Sequence, residues 1–367
     1  MAAWTLIIKE AREGTLVIPH IAPVFLIFLA TMCVRLLLPP TGAADAIPGP
    51  AVSRGLLIMG FFGLTLYVYA RLRFDIILWM IAGMASATTL VAIAVFLHQV
   101  PADHRLLLLG RAAHPILGAG AIATGAIAAI SLLAYHVRAK RDWITTVTLL
   151  FAISAIVVGL YFTGSRGPLL SLVLAAIALP IVMLSGSRAL LFVCAFGAWA
   201  LVTGIILFDE QIRSLLCPMI ELACRSPNRQ DAWAASFAAI AQHPLWGNGY
   251  AFRLSGVPHA HNTYFGVALH YGIPMGILFI GVMAAALSSA ARLRQVDEKC
   301  FVVGMLIFVN GFMGSDLSDP MRFFNTHYLF LWFPLTLAVI GAKQDLSSTA
   351  LSGVEVGCAP VEASPPR

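Results

Sequence analysis

Residues 143–185 read WITTVTLLFAISAIVVGLYFTGSRGPLLSLVLAAIALPIVMLS, and Arg166 is their only charged residue. An apolar helix of about 20 residues crosses a hydrocarbon core of about 30 Å. This stretch therefore predicts two membrane-crossing helices joined by the turn Thr163-Gly164-Ser165-Arg166-Gly167-Pro168. Glycine allows close backbone approach, and proline suits the first turn of a helix.

The same character extends over most of the chain. Of its 367 residues 60% are apolar and 11% charged, with a mean hydropathy of +0.88, whereas soluble domains carry about 25% charged residues. Apolar runs at roughly 15–38, 55–70, 75–97, 115–135, 143–163, 169–185, 189–208, 263–283, 300–315 and 326–342 predict an all-α, polytopic transmembrane bundle of about ten spans. Every second connection is basic: Lys9 and Arg12, Arg71 and Arg73, Arg138 to Arg141, Arg188, Arg292 to Lys299, and Lys343. Short basic connections mark the cytoplasmic side, so the net charge of +6 needs no nucleic-acid partner. On this reading residues 1–14 form a cytoplasmic N-terminus, 15–342 the membrane domain, and 343–367, rich in Ser, Pro, Ala and Gly, a disordered cytoplasmic tail.

The outer connection at 209–262 is by far the largest. Trp233, Phe237, Ile240 and Ala241 follow a helical spacing, Asp231 suits a helix start, and His243-Pro244 ends the pattern. A large helical loop capping the outer face is expected, with Cys217 and Cys224 joined by a disulfide if that compartment is oxidising.

The outer connections hold Arg54, Arg105, Arg111, Arg166, Arg213, Arg225, Arg229, Arg253 and Arg322, and no lysine. Guanidinium groups recognise phosphate and carboxylate through planar, paired hydrogen bonds. Arg166, beside the N-terminus of its helix, is placed to hold an anion. His259-Ala260-His261-Asn262 stands where the large loop meets the eighth span, and a neutral imidazole there can take a proton from a hydroxyl. The outer acids form no DxD pair and the cysteines no CxxC pair, so neither a metal site nor a cofactor is expected. Asp316 and Asp319, three residues apart, are candidates for shaping an acceptor site.

Taken in order, TGSRGP after a span, NR…W…HPLWGNGY in the loop and HNTYFGVALHYGIPMG at its end resemble the bacterial O-antigen ligase and polymerase superfamily over roughly residues 150–285. Gly110-Arg111 and His114-Pro115 fit its general character. The resemblance implies a metal-independent, inverting glycosyltransferase of the bacterial inner membrane with its active site on the periplasmic face. It would move a glycan from undecaprenyl pyrophosphate to an acceptor hydroxyl, either on lipid A–core (a ligase) or on another glycan (a polymerase). By motif, Arg166, Arg229 and His261 match the family's essential residues, with Arg111, Arg225, His259, Asn262 and Tyr264 as substrate-binding candidates. A transporter or flippase is the rival class, but such proteins place ionisable groups within their spans, and here only Arg35 lies clearly inside one.

Overall fold

The computed structural model describes residues 22–37, 49–99, 105–108, 113–139, 142–218, 229–249, 252–257, 259–317, 320 and 327–339, and among them there are helices and no strands. The first seven helices are α1 (Ala22–Leu37), α2 (Gly49–Arg71), α3 (Phe74–His98), α4 (Pro115–Arg138), α5 (Trp143–Phe162), α6 (Arg166–Ser185) and α7 (Arg188–Leu207). Two shorter ones follow, α8 (Asp209–Leu216) and α9 (Arg229–Gln242). The remainder are α10 (Thr263–Tyr271), α11 (Ile273–Ala290), α12 (Val296–Met313) and α13 (Tyr328–Val339), which opens with a π-helical turn. Six of these, α3 to α7 and α11, are long and apolar enough to cross a membrane. The expected N-terminal segment 1–14 and tail 343–367 lie outside the described residues.

α12 runs through the middle, with almost every residue buried, packed against α4, α6 and α7. Small residues allow that approach, since lipid supplies no hydrophobic drive between helices and close packing must hold them together. A Cβ on Gly304 would lie 3.0 Å from Ile127, and one on Gly311 would lie 2.9 Å from the Ser171 hydroxyl. Aromatic residues add to this core. Phe62 and Trp332 are buried around Phe25, with ring centroids 5.5 and 6.1 Å from it.

α6 begins at Arg166, a few residues ahead of the expected start, and Pro168 lies in its first turn as its sequence suggested. One expectation needs correction. The eighth span is not one helix. It breaks between α10 and α11 at Gly272, whose φ of +93° and ψ of 163° cannot continue a helix. Broken helices persist at membrane depth only where their freed backbone groups find partners, and the HPLWGNG turn supplies them. Asn248 and Gly249 donate their backbone N–H groups to the carbonyls of Leu269 (2.8 Å) and His270 (3.0 Å), and Ile273 donates to the carbonyl of Pro244 (2.7 Å). Gly247 and Gly249 hold φ of +66° and +81° to make this turn. A Cβ on Gly272 would overlap the Leu245 carbonyl, so glycine is required on both sides of the seam.

The cap formed by the large loop is built around α9. Trp233 is buried against Val202 and Ile206 of α7, while Ala239 and Ile240 pack on Leu254, Ala260 and Leu269. The expected face was partly wrong: Phe237 and Ala241 are exposed, although the Phe237 ring lies 4.7 Å from that of Phe265. Gln230 fixes the start of α9 by donating to the carbonyls of Ile206 (3.1 Å) and Leu207 (3.0 Å) at the end of α7.

Candidate active site

Helices α4, α6, α8, α9 and α10 begin at one end of the bundle, and α12 ends there. Arg229, the first residue of α9, forms an ion pair with Asp316, which follows α12. Both are withdrawn from solvent, with side chains 14% and 1% exposed. Asp316 also accepts a hydrogen bond from Ser315 (3.1 Å). Gly167, in the first turn of α6, lies directly against Ser315 and Asp316. His261, just before α10, and His114, just before α4, both feel the charge of Asp316. Helix N-termini carry unpaired N–H groups and partial positive charge, so an end of this kind favours anions.

Arg166 is the first residue of α6, 28% exposed, and reaches Asp209 at the start of α8 with 4.0 Å between charged atoms. That distance marks a loose pair, and partly exposed pairs of this kind contribute little to stability. The turn beneath it is held by Arg105, which donates from Nε to the Thr163 carbonyl (2.7 Å) and from a terminal nitrogen to the Ser165 hydroxyl (3.0 Å). Leu106 adds a backbone bond to the carbonyl of Phe162 (2.9 Å). Segment 105–108 therefore buttresses the Arg166 turn.

His261 has a φ of +50°, the only positive value at a non-glycine position among the described residues. Such backbone costs of order 1 kcal/mol or more and persists when the surroundings enforce it. Its backbone N–H donates to Nδ1 of His259 (3.2 Å), and the two rings lie 3.9 Å apart. Its own Nδ1 is buried with no hydrogen-bond partner among the described residues, as is Nε of Arg229. Burial lowers the proton affinity of His261; Asp316 opposes this, and Arg229 and His114 reinforce it. His114 is lowered too, by burial and by Arg105, again against Asp316. The charged form of the His261 imidazole is thus disfavoured, and the site holds both an unused ring nitrogen and an unused guanidinium N–H.

Several expected site residues have other positions. Asn262 is fully buried and caps α10, its Oδ1 accepting from the backbone N–H groups of Tyr264 (3.1 Å) and Phe265 (3.3 Å). Its amide nitrogen reaches the Gly314 carbonyl (3.4 Å), tying α10 to the end of α12. Tyr264 points into the bundle, donating to Asn310 (2.6 Å) between the rings of Trp199 and Phe279. The hydrogen bonds of these two side chains thus go to other parts of the fold. Arg111, Arg225, Asp319 and Cys224 lie outside the described residues. Cys217 is disulfide-bonded.

Sequence reasoning missed the role of Asp316 as the partner of Arg229, and of Arg105 and His114 in the same cluster. Their presence among the outer-face polar residues was the available signal, but nothing in it gave their proximity. No group of three or more His, Cys, Asp or Glu side chains among the described residues is arranged to hold a metal ion.

No curated protein matches the chain. Residues 149–280 match the family model described as O-antigen ligase (Wzy_C), a stretch that includes Arg166, Arg229 and His261. Over that stretch the chain is similar to the O-antigen ligase family, and six of its described helices are long and apolar enough to cross a membrane.

Proposed function

We propose that the protein transfers a glycan from undecaprenyl pyrophosphate to an acceptor hydroxyl on the periplasmic face of the bacterial inner membrane, and that the acceptor is lipid A–core. The observation that carries this reading is the buried Arg229–Asp316 pair beside His261, whose Nδ1 has no partner.

The acceptor oxygen attacks the anomeric carbon as the bond to the diphosphate oxygen breaks, inverting that centre. Negative charge grows on the departing diphosphate. Arg229 and Arg166, at the starts of α9 and α6, supply positive charge and directed N–H groups to it. Fixed donors in a site shielded from water stabilise a transition state more than mobile solvent does. His261 accepts the proton that leaves the acceptor hydroxyl. Asp316 orients Arg229 and, through its charge, favours the imidazolium that forms.

Deletion in the native host followed by lipopolysaccharide electrophoresis tests the choice of acceptor. Core without polymer, with lipid-linked polymer accumulating, supports ligation. Core bearing a single repeat unit makes the protein a polymerase, and unaltered lipopolysaccharide removes it from this pathway.

A further inference from the structure

α4 and α12 each have one end at the site and the other end at a second cavity. With a rise of about 1.5 Å per residue, the 18 residues of α12 separate the two by roughly 27 Å. The cavity has a volume of about 700 Å³ and lies among the end of α2, the start of α3, the end of α4 and the start of α12. These are the ends whose connections carry the basic residues of the cytoplasmic side.

Its lining joins opposite charges. Arg73, Asp75, Arg138 and Asp297 face it together with Tyr69 and Tyr135. Arg73 is bound in a paired fashion to Asp75 (3.1 and 2.7 Å). Glu298, next to the cavity, accepts from the Tyr69 hydroxyl (2.5 Å). Asp297 differs from both: it is 7% exposed and faces no cation among the described residues, its carboxylate meeting only backbone N–H groups at the start of α12. A carboxylate withdrawn from water without a cation is costly, so an outside group that donates N–H bonds and positive charge fits it. Arg138 offers an anion its complement a short way along the same wall. Leu72, Phe74 and Val296 give the cavity an apolar margin.

We propose that this cavity binds the phosphoethanolamine headgroup of an inner-leaflet amino-phospholipid, its ammonium against Asp297 and its phosphate against Arg138. The apolar margin and the position at the helix ends favour a lipid over a free zwitterion. The site is separate from glycan transfer, so it stands or falls independently of the proposed function.

The full-length protein, delipidated in detergent, is titrated with phosphatidylethanolamine, phosphatidylcholine or phosphatidylglycerol and read by native mass spectrometry. Phosphatidylethanolamine is expected to be retained about tenfold better than the other two, the size of effect that one charged hydrogen-bonded contact produces. Phosphatidylcholine carries the same charges without N–H donors, so it isolates the Asp297 contact. Asp297→Asn should bring phosphatidylethanolamine down to the phosphatidylcholine level. Arg138→Gln, at an exposed position where folding is safe, should weaken phosphatidylethanolamine and phosphatidylglycerol together. Equal retention of the three lipids, or indifference to both substitutions, overturns the proposal. So does displacement of bound lipid by millimolar soluble phosphoethanolamine, which would assign the cavity to a free solute.

Discussion

Gly167 leaves room for Asp316. A single methyl group at position 167 would overlap the Asp316 carboxylate and crowd the Ser315 hydroxyl, so only glycine lets the first turn of α6 meet the segment that follows α12. Gly167→Ala must therefore push Asp316 aside, and with it the Arg229 side chain that Asp316 holds. Misplacement by about 1 Å can cost about 10²-fold in rate, and a loss of that order is expected. Transfer assays in proteoliposomes at matched protein abundance check it, and near-normal activity would show that Asp316 does not set the geometry.

Arg166→Lys keeps the charge and loses the fork. Lysine cannot present two parallel N–H groups to a diphosphate, so turnover should fall by about 10² to 10³, the usual loss for a transition-state donor. The loose contact with Asp209 implies little change in stability. A variant that is folded and fully active removes Arg166 from the chemistry.

His261→Asn separates base from backbone. Asparagine tolerates the left-handed conformation that position 261 adopts, so folding should survive. Turnover should drop by about 10² to 10⁴, the contribution of a positioned general base, with donor binding largely retained. His259→Ala removes the acceptor for the His261 N–H, and a smaller, partial loss is expected. Full activity of His261→Asn beside a dead His259→Ala would reverse the two roles.

The pH profile follows from the lowered proton affinity of His261. A base acts in its neutral form, so activity should be flat near pH 7 and decline only below 6.5, the ordinary histidine value. Asp316 raises that affinity, so Asp316→Asn should move the acidic limb to still lower pH while reducing the rate. A limb that moves upward in Asp316→Asn would show that the titrating group is not this histidine.

Cys217, which is disulfide-bonded, is expected to pair with Cys224 in the same loop. Peptide mapping under non-reducing conditions should recover the linked pair, and finding both thiols free would count against the bond and against placing this loop in an oxidising compartment.

The apolar runs located most helices because hydropathy alone decides what can lie in lipid. Arg166, Arg229 and His261 were singled out by motif, and the structure places all three at one end of the bundle. The Arg229–Asp316 pair was not legible, since its partners stand 87 residues apart and meet only through tertiary packing. Asn262 was read as a ligand contact, although asparagine before an apolar run is a common helix cap. The break at Gly272 was hidden by an uninterrupted apolar stretch, although Pro274 two residues later was a signal.

The seam at Gly272 also bears on how the chain enters its membrane. The carbonyls of Leu269 and His270 find their partners in a turn that precedes α10 in the sequence. Left in lipid without partners, each would cost several kcal/mol. This crossing therefore cannot be completed as a finished rod and decorated afterwards. The turn must be in place as α10 packs, so the order of assembly is written into a pair of backbone hydrogen bonds.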